Sequence, residues 1–129
     1  MKYFSFNELC QSDVAKAQNI DNTPTGADKN NMQFLVDKLL DPLREMYGKP
    51  INVTSGYRSA ALNKAVKGKP SSQHLRGCAA DIVCKDNKQL FDLIKTHFEY
   101  DQLINEHDYR WIHVSYVGGV NRRQTLKLP

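Results

Sequence analysis

Apolar residues recur at steps of three and four between positions 27 and 47: Met32, Leu35, Val36, Leu39, Leu40, Leu43 and Met46. That period matches one face of a helix, so a long helix is expected over about 27–47, with its apolar stripe in the core. Pro42 lacks an amide hydrogen and crowds the preceding turn, and should kink this helix or start a second segment. Leu90, Phe91 and Ile94 predict another helix over about 87–97. Residues 7–18 hold one or two short helices, with Ser5 as N-cap three residues before Glu8 in capping-box spacing. A further short helix is expected at 59–66. Elsewhere the segments are short, and residues 51–54, 78–84, 101–106 and 111–117 read as strands, the last two joined by a turn at 107–110. Asn22-Thr23-Pro24-Thr25-Gly26 is a turn, Gly118-Gly119 ends the hairpin, and 121–129 is a basic tail able to add an edge strand. Helices and strands interleave without repeat or linker. The expectation is an α+β fold, a small antiparallel sheet packed with helices, in a single domain spanning 1–129.

Strand alternation locates the candidate chemistry. In 78–84, Ala79, Asp81 and Val83 share one face, and in 111–117 Trp111, His113 and Ser115 share another. A lone carboxylate among apolar neighbours is costly to bury unpaired, and a cation beside Asp81 removes that cost. His74 precedes the strand in a turn ended by Gly77, a residue that permits backbone angles closed to others. Such a turn folds His74 back towards Asp81. Two imidazoles and a carboxylate leave one coordination position open, the pattern of a catalytic zinc site; a structural site closes its shell, usually with cysteines. Taken singly, each residue also fits an ordinary surface, capping or core role. Their conjunction points to metal-assisted hydrolysis.

That chemistry needs a base within hydrogen-bond reach of the water that the metal activates. If the turn at 107–110 sets the register, Glu106 lies opposite Trp111 and on the same face as His113. Diagonal cross-strand neighbours are about 7–8 Å apart, close enough for a glutamate to serve. Asp108 is the runner-up, and His107 is an alternative proton donor.

Composition narrows the class without fixing it. With 40% hydrophobic and 25% charged residues the chain is globular rather than disordered. No apolar run approaches a membrane span, and Met1-Lys2-Tyr3-Phe4-Ser5-Phe6 meets Asn7 and Glu8 before any signal-peptide apolar region forms. Synthesis in a cytoplasm is expected, with any action outside it only after release by lysis, through a pore, or as part of a virion. The net charge of +4 suits an anionic polymer. Nucleic acid is the rival partner, but the basic residues are scattered and no nucleic-acid motif is present. Lys64, Lys67, Lys69 and Arg76 form the one local concentration and read as a solvated rim. Three cysteines give an odd count without a C-x-x-C pair. Cys78 and Cys84 would lie roughly 20 Å apart along one strand, beyond disulfide reach. Reduced thiols and a monomer are expected, with neither a nucleic-acid nor a membrane partner.

The series Ser72-x-His74-x-x-Gly77-x-Ala79-x-Asp81, followed by Trp111-x-His113, resembles the zinc D-Ala-D-Ala carboxypeptidases, the M15 peptidases. That family shares its fold with the signalling domain of hedgehog proteins. Ser55-Gly56-Tyr57-Arg58-Ser59 is similar to the family's arginine-bearing segment. Phe4-Ser5-Phe6-Asn7-Glu8-Leu9, with Ile20-Asp21-Asn22-Thr23-Pro24, resembles the small phage-associated, endolysin-like branch. The likeness runs from about residue 4 to about 117. It implies His74, Asp81 and His113 as Zn2+ ligands, and Arg58 as stabiliser of the charge that builds on the attacked carbonyl or as binder of a substrate carboxylate. Ser72 would cap the His74 turn or bond Asp81. Tyr57 and Gln73 are candidate substrate contacts and Trp111 a wall of the cleft. The sequence departs from related enzymes at Arg110, where an acidic residue often stands three positions before the last histidine. The resemblance implies hydrolysis of peptidoglycan stem or cross-bridge peptide bonds, as carboxypeptidase or endopeptidase. The alternatives are a metal-bearing wall-binding module without a competent base and a phage structural protein with a vestigial site.

Overall fold

A computed structural model describes residues Met1–Pro129. Two short helices open the chain, α1 (Phe6–Cys10) and α2 (Asp13–Ala17), each capped by a serine hydroxyl, Ser5 and Ser12, that accepts an amide from the first turn. Next come α3 (Gly26–Leu35), α4 (Asp41–Tyr47), β1 (Asn52–Ser55), α5 (Ala60–Ala65) and β2 (Ala79–Val83). The chain closes with α6 (Asn87–His97), β3 (Gln102–Glu106), β4 (Trp111–Ser115) and β5 (Gln124–Leu128). No helix is long and apolar enough to cross a membrane.

The expected long helix is present as α3 and α4 joined by a π-helical stretch, Val36–Leu40. Pro42 offers no amide to Lys38, and the Asp41 N–H reaches back five residues to the Val36 carbonyl. The wider turn accommodates the proline and rotates the helix face that follows it. Leu43 and Tyr47 therefore point inward, while Met46, expected in the core, is 48% exposed.

The five strands form one sheet in the order β1-β2-β4-β3-β5. The first three pairings are antiparallel, as expected. The basic tail does form an edge strand, but β5 runs parallel to β3, so the sheet is mixed rather than antiparallel. Residues 116–123 carry the chain from β4 past the end of β3 to its far side, and a strand arriving there from β4 must run alongside β3 in the same direction.

The sheet has two unlike faces. Ala80, Ile82, Leu103, Ile112 and Val114 are fully buried and pack with Leu35, Val36, Leu39 and Leu40 of the helical run. Each of the valine, leucine and isoleucine side chains contributes roughly 1.5–3 kcal/mol by leaving water. Asp81, His113, Ile104 and Glu106 occupy the alternate positions and therefore the opposite face. The functional candidates stand on the face that the main helical core leaves open.

Candidate active site and metal centre

Asp81 on β2 pairs directly with His113 on β4, which puts both side chains side by side. His74 comes from a single 3-10 turn, Gln73–Arg76, whose first amides are capped by the Ser72 hydroxyl, accepting from the His74 N–H at 3.2 Å. Gly77 ends the turn at φ 76°. A Cβ there would lie 2.6 Å from the Asp28 carbonyl oxygen and from Met32 Cγ, so both backbone angle and space demand glycine. A second glycine fixes the ring: His74 Nδ1 lies 2.7 Å from the Gly56 carbonyl oxygen. A carbonyl only accepts, so Nδ1 carries the proton and Nε2 is left to face Asp81.

The three side chains converge. His74 Nε2 lies 3.4 Å and His113 Nδ1 3.0 Å from the same Asp81 Oδ1, and the ligand-capable atoms all fall within 4.8 Å of one another. Four ligands at about 2.0–2.1 Å from zinc in a tetrahedron stand about 3.3–3.4 Å apart. Two of the three separations are close to that value. The donor set, two imidazoles and one carboxylate, is of the kind that catalytic rather than structural zinc sites use. Burial pushes the Asp81 carboxyl up, but hydrogen bonds and charge from His113 and His74 outweigh it and hold it well below the usual carboxylate range. A carboxylate that stays ionised when nine-tenths buried suits a cation ligand.

Arg58 enters from the segment after β1, where a bulge between Val53 and Ser55 shifts the pairing with β2. Its guanidinium is gripped on three sides. Nε donates to Ser55 Oγ at 3.1 Å and Nη1 to Asn63 Oδ1 at 3.2 Å, while Nη2 lies 3.6 Å from Asp81 Oδ2. Burial lowers the Arg58 pKa, and the charges of Asp81 and Glu106 oppose that shift. Asn63, itself buried, donates onward to the Lys69 carbonyl.

Glu106 ends β3 opposite Trp111, the register anticipated from the turn length. The Trp111 indole N–H donates to Glu106 Oε2 at 3.2 Å. Glu106 lines a cavity of about 340 Å³ together with Arg58, Ser72, Gln73, His74, Asp81 and His113. The turn that delivers it is left-handed, with His107, Asp108 and Tyr109 at φ 51°, 55° and 64°. It is closed by Arg110 N–H to the Glu106 carbonyl and by Tyr109 N–H to Asn105 Oδ1. Asp108, His107 and Arg110 stay in this turn and do not line the cavity.

Two expected contacts are corrected. Tyr57 is 7% exposed and packs in the core, away from the cavity, because its N–H bonds the Leu9 carbonyl and its own carbonyl accepts from Asn22. Trp111 does not line the cavity; it holds Glu106 and packs its ring against His107 at 4.8 Å. Gln73 does line it, with Nε2 donating to Asp101 Oδ2 at 2.8 Å and a buried Oε1 without a protein partner. Sequence reasoning missed Ser55, Asn63, Asp101 and Leu128. Asn63 sits five residues beyond Arg58, on the helix that Ser59 caps, while Arg58 precedes that helix, so no helical spacing linked the two in the sequence.

The family model for Peptidase M15 matches residues 2–115, which include every one of these metal-binding candidates, together with Arg58 and Glu106. No curated protein matches the chain significantly. The match covers far more than half of the sequence and includes the strands that bring Asp81, Glu106 and His113 together, so the chain belongs to the M15 peptidase family.

Proposed function

We propose that this chain is a zinc-dependent peptidase that hydrolyses peptide bonds of bacterial peptidoglycan, in the stem or the cross-bridge. The observation that carries the reading is the convergence of His74 Nε2, His113 Nδ1 and Asp81 in a cavity that also holds Glu106 and Arg58. His74, Asp81 and His113 would hold the ion. Zinc bound there supplies Lewis acidity, polarising a carbonyl and making water acidic enough to ionise near neutral pH.

The chain's own groups account for the remainder. Glu106 takes the proton of the attacking water and returns it to the leaving amine. Arg58, fixed by Ser55 and Asn63, offers a preorganised positive charge to the oxygen that becomes negative as the carbonyl is attacked. The Gly56 carbonyl keeps His74 in the tautomer whose Nε2 lone pair is free. The formal charge of +4 favours approach to an anionic wall. On this reading the protein meets its substrate outside the cytoplasm, after lysis or as part of a virion. Glu106 in the cavity weighs against the wall-binding module without a base.

Metal analysis coupled to digestion of purified peptidoglycan tests the reading. The chain should bind about one zinc and release soluble peptides, and His113→Ala should lose both properties. Zinc binding without release of any peptide would leave a metal-bearing protein that is not a wall peptidase.

A further inference from the structure

β5 lies beyond residues 2–115, the part of the chain that the family model matches, yet it reaches the cavity. The parallel register sets Gln124 beside Gln102, Leu126 beside Ile104 and Leu128 beside Glu106. Gln102, Ile104 and Glu106 all line the cavity. Alternation along β5 therefore turns Gln124, Leu126 and Leu128 to the cavity face, and Thr125 and Lys127 to the other. Leu128 itself lines the cavity with 39% of its surface exposed. Ile104 is the other apolar residue of the lining; the rest is polar, including Arg58, Lys69, Ser71 and Ser72.

The strand is held firmly enough to act as a wall. The His107 N–H donates to the Leu128 carbonyl at 3.0 Å, one residue from Glu106. The Tyr100 hydroxyl bonds Thr125 Oγ1 at 2.7 Å. Upstream of β5, Arg122 forks onto Asp101, with Nε 3.0 Å from Oδ1 and Nη2 2.7 Å from Oδ2. The same Asp101 holds Gln73, the neighbour of His74.

We propose that β5 is the specificity wall of the site: Leu128, with Ile104, receives the apolar side chain of the substrate residue next to the bond that is cut. The inference rests on the peptidase reading above and deepens it. An exposed leucine beside the Glu106 carboxylate gains by contact with an apolar substituent, whereas a carboxylate set there would lose water and face the like charge of Glu106. Differences of a methylene or so in an apolar subsite change kcat/KM by about 10–200-fold.

The test uses zinc-loaded full chain and peptidoglycan peptides that differ only in the side chain at the cut: methyl, hydroxymethyl or carboxymethyl. Wild type should prefer the methyl substrate, and Leu128→Ala should lose about ten-fold of that preference while binding zinc as before. Leu128→Thr, which keeps strand propensity, should do likewise, guarding against a loss of folding. Lys127→Ala, on the opposite face, should leave the preference unchanged. An unaltered ratio in the Leu128 variants, or an equal change in Lys127→Ala, overturns the wall. If wild type turns over none of the peptides, the peptidase reading fails first and the wall fails with it.

Discussion

Asp81 and Glu106 are carboxylates of one cavity, and their surroundings suit them to different tasks. Asp81 is nine-tenths buried and faces two imidazoles and a guanidinium, so it stays an anion and is suited to hold a cation. Glu106 stands at a strand end with one indole hydrogen bond to Oε2, while Oε1 has no protein partner. Such a group is free to hydrogen-bond a water in the cavity. Glu106→Gln preserves shape but removes the base, so hydrolysis should fall by about 10²–10⁴-fold while zinc binding, measured by titration, stays intact. Loss of zinc binding in that variant would move Glu106 from the proton step to the metal shell. Both carboxylates were legible in the sequence because period-2 alternation fixes which strand residues share a face. The grip on Arg58 was not, since Ser55 and Asn63 carry no chemistry that marks them until the loop is folded.

At the scale of elements, the hairpin of β3 and β4 was readable because four turn residues between two alternating runs leave little freedom in register. The π stretch before Pro42 was readable only as a disturbance; that it would widen the helix and turn Met46 outward depended on packing. The parallel placement of β5 was beyond the local pattern, because the fully paired edge of β3 is decided by tertiary contacts. Asp101 is the clamp for that edge. Arg122 hydrogen bonds, first among its causes, pull its pKa down from 3.8 to about 2. A depressed folded-state pKa stabilises the fold above the unfolded value, and the contribution disappears as pH falls through about 2. Asp101→Asn should therefore destabilise the protein at neutral pH, by on the order of 1–3 kcal/mol. The gap from wild type should shrink between about pH 4 and pH 2, as followed by urea unfolding. A gap that stays constant over that range would show that the Asp101 charge does not hold the tail.

The whole molecule divides its sheet between two environments. One face packs against the helices and supplies stability, while the other carries Asp81, His113, Glu106 and Leu128, all lining a single cavity. The α+β class and the convergence of His74, Asp81 and His113 follow from residues near one another in sequence or locked by strand pairing. Tyr57 was placed wrongly because it lies in an irregular segment where no spacing says whether an aromatic residue faces core or cleft. Alternation did put Trp111 on the face of His113 and Glu106, where it holds Glu106 instead of lining the cavity. On the proposed function, this arrangement cuts peptidoglycan peptides by means of a metal. Mass spectrometry of defined muropeptides, monomeric and cross-linked, after incubation with the zinc-loaded chain tests it most directly, with a chelator control. Chelator-sensitive loss of a terminal residue, or cleavage within the stem or the cross-link, is the predicted result; unchanged masses across the whole panel would contradict it.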